Sequence, residues 1–119
     1  ITGVSYTTTK HQFHFFDEKR KKLQKMFENR LPGYEVYINN HSKDETRMII
    51  RTYSDKSLGA FYYYDHLNRE FRKLADVSPW IDAAEMAPMH PVAYISRDGL
   101  TIHGYLTLPP GGPKAPPAV

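Results

Sequence analysis

Between residues 34 and 76, four runs rich in aromatic and β-branched residues, at 34–38, 46–53, 60–65 and 70–76, follow one another across short polar joints. Runs of this kind read as β-strands. The joints, 39–45, 54–59 and 66–69, are rich in Asn, Asp, Ser and Gly, which bond their own backbone or tolerate a left-handed conformation. Within 46–53, Met48 and Ile50 fall on one face and Arg47 and Arg51 on the other, the alternation of a half-buried antiparallel strand. Strands joined this closely form a meander. A lone four-stranded meander leaves both outer strands unpaired, so it suits one blade among several, as in a β-propeller, better than isolation.

The flanks carry different periods. Residues 3–8 and 12–16 predict a hairpin around Thr9-Lys10-His11. From Asp17 onward, Leu23, Met26, Phe27 and Leu31 share one helical face, while Lys19, Arg20, Lys21, Lys22 and Lys25 lie mainly around the others. Asp17 is a suitable N-cap, Glu18 suits the positive end of the helix dipole, and Leu31-Pro32-Gly33 supplies the stop. Ser78-Pro79-Trp80 predicts a second helix start, with Ser78 as cap, ended by Pro88 and Pro91. Residues 92–96 and 100–108 then predict two strands around Arg97-Asp98-Gly99, where Asp-Gly favours a tight turn with both central residues at positive φ. Five of the nine prolines fall in the last eleven residues, so 109–117 reads as an exposed, extended connector. The fold class is therefore mainly β, an antiparallel meander with one or two short helices and a further hairpin.

At 119 residues the chain fills one domain or two pieces of neighbouring domains. It opens on Ile1 and stops at Pro116-Pro117-Ala118-Val119, which looks like the approach to another strand, so a piece of a longer polypeptide is expected. The absence of cysteine removes thiol nucleophiles, disulfides and iron-sulfur clusters. No run approaches the roughly 18 apolar residues of a membrane span, and mean hydropathy is -0.59. The expectation is a soluble chain of cytoplasm or periplasm, without membrane partners. Net charge is +3, but the first 31 residues hold seven basic and three acidic side chains, +4, which leaves -1 for the rest. That is too little concentration to favour nucleic acid.

Candidate chemistry is sparse. His11, His14, His41, His66, His90 and His103 include no i, i+4 pair enclosing a carboxylate, and on one strand His11 and His14 point to opposite faces. Ser5 and Ser96 each lie near a glycine, but the Gly-x-Ser-x-Gly elbow of a hydrolase is missing. Asp82 and Glu85 would share a face of the second helix, as a solvated pair. Lys19 to Lys22 beside Phe13, Phe15 and Phe16, or Tyr62-Tyr63-Tyr64, could form a basic and aromatic surface. No catalytic, cofactor-binding or metal-binding residue is assigned, and no cofactor is expected.

One resemblance covers nearly the whole chain. Ser96-Arg97-Asp98-Gly99-Leu100-Thr101-Ile102-His103-Gly104-Tyr105-Leu106-Thr107-Leu108-Pro109 resembles the Arg-Asp-Gly and Gly-Tyr-Leu-Thr-Leu-Pro signature at the entrance to the catalytic domain of prolyl oligopeptidase family serine peptidases. The branch is the acylaminoacyl-peptidase and dipeptidyl aminopeptidase-like one. Upstream, Phe15-Phe16-Asp17, Leu23-Gln24, Leu31-Pro32-Gly33, Ser42 with Asp44, Tyr62-Tyr63-Tyr64-Asp65 and Trp80-Ile81 before Pro88 and Pro91 keep the order of the family's final propeller blades and crossover.

The resemblance implies three parts: residues 1–76 as late β-propeller, 77–91 as crossover linker, and 92–119 as the truncated start of an α/β-hydrolase domain. It implies a parent enzyme that hydrolyses short peptides at a Ser-Asp-His site beyond residue 119, with the propeller gating access and this piece contributing no chemistry. Expected partners are a short peptide substrate for the parent, the remainder of the catalytic domain, and copies of itself through exposed strand edges. The alternative is a stand-alone β-rich module whose basic and aromatic face binds peptide or single-stranded nucleic acid.

Overall fold

The computed structural model describes residues 1–8 and 10–112. Strands β1 (Gly3–Thr7) and β2 (His11–Phe15) precede helix α1 (Glu18–Arg30), followed by β3 (Glu35–His41), β4 (Arg47–Tyr53), β5 (Ala60–Asp65) and β6 (Glu70–Asp76). A single 3-10 turn at Ala83–Glu85 leads to β7 (Met89–Ile95) and β8 (Thr101–Thr107). All pairings are antiparallel: β1 with β2, the meander β3-β4-β5-β6, and β7 with β8. The protein is mainly β.

One face of the meander carries the core. Val36, Met48, Ile50 and Tyr64 lie on it, and α1 covers them with Leu23, Phe27 and Leu31. These helix residues are four apart, so they form one stripe along α1. Phe27, with no exposed surface, meets Tyr64 edge-on at 5.0 Å between ring centroids and stacks on Phe71 at 6.1 Å. Asp17 caps the helix by accepting from the Lys19 N–H at 2.9 Å. Gln24 Nε2 donates to the Val36 carbonyl at 2.7 Å, a buried bond that ties the helix to β3. The opposite face of the meander is held by cross-strand pairs, with Arg51 over the Phe61 ring and Arg72 over the Tyr63 ring.

Several expectations need correction. Arg20 is buried at 6% exposure, because its guanidinium donates to Glu45 at 2.8 Å across the helix and the β3–β4 turn. Residues 39–41 belong to β3 rather than to a joint, since the register shift between Ile38 and Asn40 absorbs an extra residue and lets pairing continue to His41. The left-handed positions in the meander turns are Glu45, Gly59 and Arg69. No α-helix starts at Ser78: Asp82 captures the Ala84 N–H at 2.9 Å and supports only one 3-10 turn before Pro88. Asp82 therefore caps a turn instead of sharing a helical face with Glu85.

Strand β7 begins three residues before the expected 92 and contains Pro91, which an edge strand tolerates because one side of its ladder is unpaired. At its turn only Gly99 of the Asp98-Gly99 pair is left-handed. The connection is thus longer than a two-residue hairpin loop, closed by Ser96 N–H to Leu100 O at 2.9 Å and Gly99 N–H to Ser96 O at 3.0 Å. The connector expected at 109–117 turns at its start, with the Gly112 N–H 3.3 Å from the Pro109 carbonyl. Its remainder, 113–117, the approach to a strand at 116–119 and Thr9 of the first hairpin turn lie outside the described residues.

The second hairpin packs on itself: every residue of β7 and β8 except Gly104 is exposed, Val92, Tyr94, Ile102 and Leu106 among them. The radius of gyration is 18.1 Å, where a compact chain of this length has about 13.5 Å. Among the described residues no helix is long and apolar enough to cross a membrane.

Candidate functional site

A cleft of about 450 Å³ opens where the first hairpin, the start of β3, the end of β4 and the second hairpin meet. Tyr34, Tyr53 and Tyr105 supply aromatic walls, and His11, Glu35 and Asp55 supply polar groups. They arrive from four places in the chain: His11 from β2, Tyr34 and Glu35 at the start of β3, Tyr53 and Asp55 at the end of β4, and Tyr105 from β8. Gly33, at φ +83°, reverses the chain after α1 and delivers Tyr34 and Glu35. Asp55 sits in the β4–β5 loop, which is stapled by Ser54 N–H to Ser57 O at 3.0 Å and by Gly59 N–H to Ser57 Oγ at 2.9 Å.

Both carboxylates are engaged. Glu35 Oε2 accepts from the Tyr37 hydroxyl at 2.8 Å. Burial, then this hydrogen bond and the negative charge of Glu35, push the Tyr37 hydroxyl up to about 12. Asp55 Oδ2 accepts from the Met89 N–H at 2.7 Å, which holds its carboxyl below the usual range. The cleft thus presents two carboxylates and the Lys10 ammonium among tyrosine rings, an arrangement of both charge signs that can accept and donate hydrogen bonds.

The Tyr37 shift has a measurable consequence. Its raised value means that the stabilisation is complete below the ordinary tyrosine value of 10.0 and is lost as pH rises towards about 12. Tyrosinate absorbance of the wild type minus that of Tyr37→Phe should show a late-titrating phenol. Glu35→Gln should draw that phenol down only part of the way, since burial is the larger cause; a full return to ordinary titration would contradict this account.

The sequence candidates do not assemble into a reactive centre. His11 packs on Phe13 at 4.8 Å and Tyr37 at 5.5 Å, and its Nδ1 lies 3.2 Å from Thr7 Oγ1. His14 lies on the other face of β2, against Phe16. His41 Nδ1 contacts the Ser42 carbonyl, His66 Nδ1 contacts the Tyr64 hydroxyl, and His90 and His103 lie on the second hairpin. Among the described residues no group of three or more His, Asp or Glu side chains converges as a metal ion requires. Ser5 is exposed on β1, and Ser96 Oγ donates to Asp98 within its turn, which lowers the Asp98 carboxyl.

Two carboxylates outside the cleft, Asp44 and Asp65, serve turns. Asp44 is held at about 2, first by the Ser42 hydroxyl and then by Thr46. Buried Asp65 accepts from the Leu67 and Asn68 N–H groups at 2.9 and 3.1 Å. The basic and aromatic surface is broken up as well: Arg20 is turned inward to Glu45, Phe13 meets Tyr37, Tyr62 stacks on Phe71 at 5.3 Å, and Tyr64 is core.

Apart from His11, sequence reading missed the cleft residues because they come from separate elements with no shared spacing. The stretch from Leu31 to Gly33, which announces a sharp reversal, also pointed near it.

No protein-family model matches the chain, and no solved structure matches it with significance. A curated protein that it does resemble is dipeptidyl aminopeptidase BIII of Pseudoxanthomonas mexicana, with 31% identity over 78 residues. The match takes in 66% of this chain and 11% of that protein, so the chain spans about a tenth of its relative's length. The similarity is to a peptidase.

Proposed function

We propose that this chain is a non-catalytic part of a serine-type oligopeptidase of the prolyl oligopeptidase kind. The observation that carries the reading is the 31% identity over 78 residues with a dipeptidyl aminopeptidase. Residues 1–76 serve as late propeller, 77–91 as crossover and 92–119 as the start of the hydrolase. The meander β3-β4-β5-β6 supports this assignment, because a propeller blade is a four-stranded antiparallel sheet. The second hairpin supports it too, because its two exposed faces are apolar enough to need cover from more polypeptide.

The reaction is acyl transfer to a serine, with a histidine taking the proton and an aspartate orienting it. Those groups come from polypeptide after residue 119. Within the described residues Thr7 Oγ1 lies 3.2 Å from His11 Nδ1, on an exposed hairpin, and the Tyr64 hydroxyl lies 3.1 Å from His66 Nδ1 at the end of β5. This part restricts entry to short peptides rather than cleaving them.

The test compares this chain with the full-length parent. The parent should release products from short peptides, spare folded proteins and take a fluorophosphonate label on serine, while the 119 residues alone do none of these. Peptide hydrolysis by the isolated chain, or a parent that no serine probe labels, would overturn the reading.

A further inference from the structure

We infer that Asp55 is the positioning residue of the joint between the meander and the second hairpin, a clasp that sets the width of the cleft between them. The segment from Pro79 to Met86 is exposed and holds only one 3-10 turn, so it offers little resistance to bending. The hairpin beyond it buries almost nothing against the meander, which leaves apolar packing unable to dictate its direction.

Asp55 meets this need from the other side. Its loop is fixed by hydrogen bonds of its own, including Lys56 N–H to Ser54 Oγ at 3.3 Å and Gly59 N–H to Ser57 Oγ at 2.9 Å. Across 34 positions its carboxylate accepts from Met89, the first residue of β7, at 2.7 Å. Met89 pairs with Thr107 on β8, so one bond at this point holds the root of the whole hairpin. The proline before it, Pro88, has no N–H to offer, and neither does Pro91, so Met89 supplies the first strand donor available to the meander. A carboxylate acceptor makes this bond stronger than a neutral one. The same bond forms part of the wall of the cleft that Met89, Pro91 and Tyr105 share with Tyr34 and Tyr53.

The chain has no cysteine, so two introduced ones give unique spin-label sites. Lys43→Cys lies in the exposed β3–β4 turn and Arg97→Cys in the exposed β7–β8 turn. In the full chain the distance distribution between the labels should be narrow, should broaden and shift in Asp55→Ala, and should return near its original form in Asp55→Asn, which keeps an oxygen acceptor. An Asp55→Ala distribution equal to wild type would overturn the clasp. So would loss of the meander itself in that variant, read as a collapsed near-ultraviolet tyrosine signal, since Asp55 would then act within the meander and not at the joint. The readout is a distance, so failure of the peptidase reading would leave it untouched.

Discussion

Gly59→Ala is expected to destabilise the chain by roughly 3 to 5 kcal/mol, combining a left-handed backbone with an overpacked contact. Gly59 sits at φ +79°, and a Cβ built there would lie 2.0 Å from the Thr52 carbonyl oxygen, 2.5 Å from its carbon and 2.9 Å from Oγ1. Two of those atoms are backbone, so no side-chain rotation relieves the clash. Thr52 cannot retreat easily, because it is buried and its hydroxyl both accepts from the Ala60 N–H at 2.9 Å and lies 3.3 Å from the Ala60 carbonyl. The Gly59 carbonyl also accepts from Val77 at 2.9 Å, so shifting this residue disturbs the exit from β6.

Gly33→Ala is the control. Its φ of +83° is similar, but nothing lies within 4 Å of the added carbon, and the cost should stay near 1 to 2 kcal/mol, about the left-handed penalty alone. Urea unfolding followed by tyrosine and tryptophan fluorescence separates the two. Equal midpoints for the variants would show that the contact with Thr52 carries no weight.

The second large effect concerns the helix. Phe27→Ala should cost about 3 to 5 kcal/mol, the range for truncating a buried phenylalanine. The ring has no exposed surface and joins α1 to Tyr64 of β5 and Phe71 of β6 at once. Its loss opens a cavity beneath Met48 and Ile50 that the pleated sheet cannot close without breaking strand register. Since small domains hold only about 5 to 15 kcal/mol in total, helix and meander should separate at low denaturant. Phe16→Ala, at a side chain 61% exposed, should change stability by less than about 0.5 kcal/mol. A Phe27→Ala midpoint as high as that of Phe16→Ala would mean that α1 does not complete the core.

Strands were legible wherever their pattern was local. The meander runs, the Asp17 cap and the helical spacing of Leu23, Phe27 and Leu31 each depend on neighbours a few residues away, and β4, β5 and β6 follow them to within a residue. The misreadings share the opposite cause. Arg20 was grouped with exposed lysines because nothing nearby marks Glu45, twenty-five positions on, as its partner. Ser78-Pro79 is a sound local helix start, but Asp82 offers a competing cap and Pro88 leaves no room for a second turn. The bulge that carries β3 to His41 belongs to its pairing with β4, not to either strand alone. The cleft was invisible for the same reason, being assembled from Tyr34, Tyr53 and Tyr105 on three strands' worth of separate sequence.

By itself the amino-acid order determined the meander strands, helix α1 and the antiparallel habit, because period, capping and turn chemistry act over a handful of residues, and its motifs carried the likeness to a peptidase. Tertiary structure alone decided that Arg20 is buried on Glu45, that Thr52 forbids a side chain at Gly59, and that Asp55 grips the root of the second hairpin. Those contacts join residues far apart in the chain, where direction and distance exist only once the elements have packed.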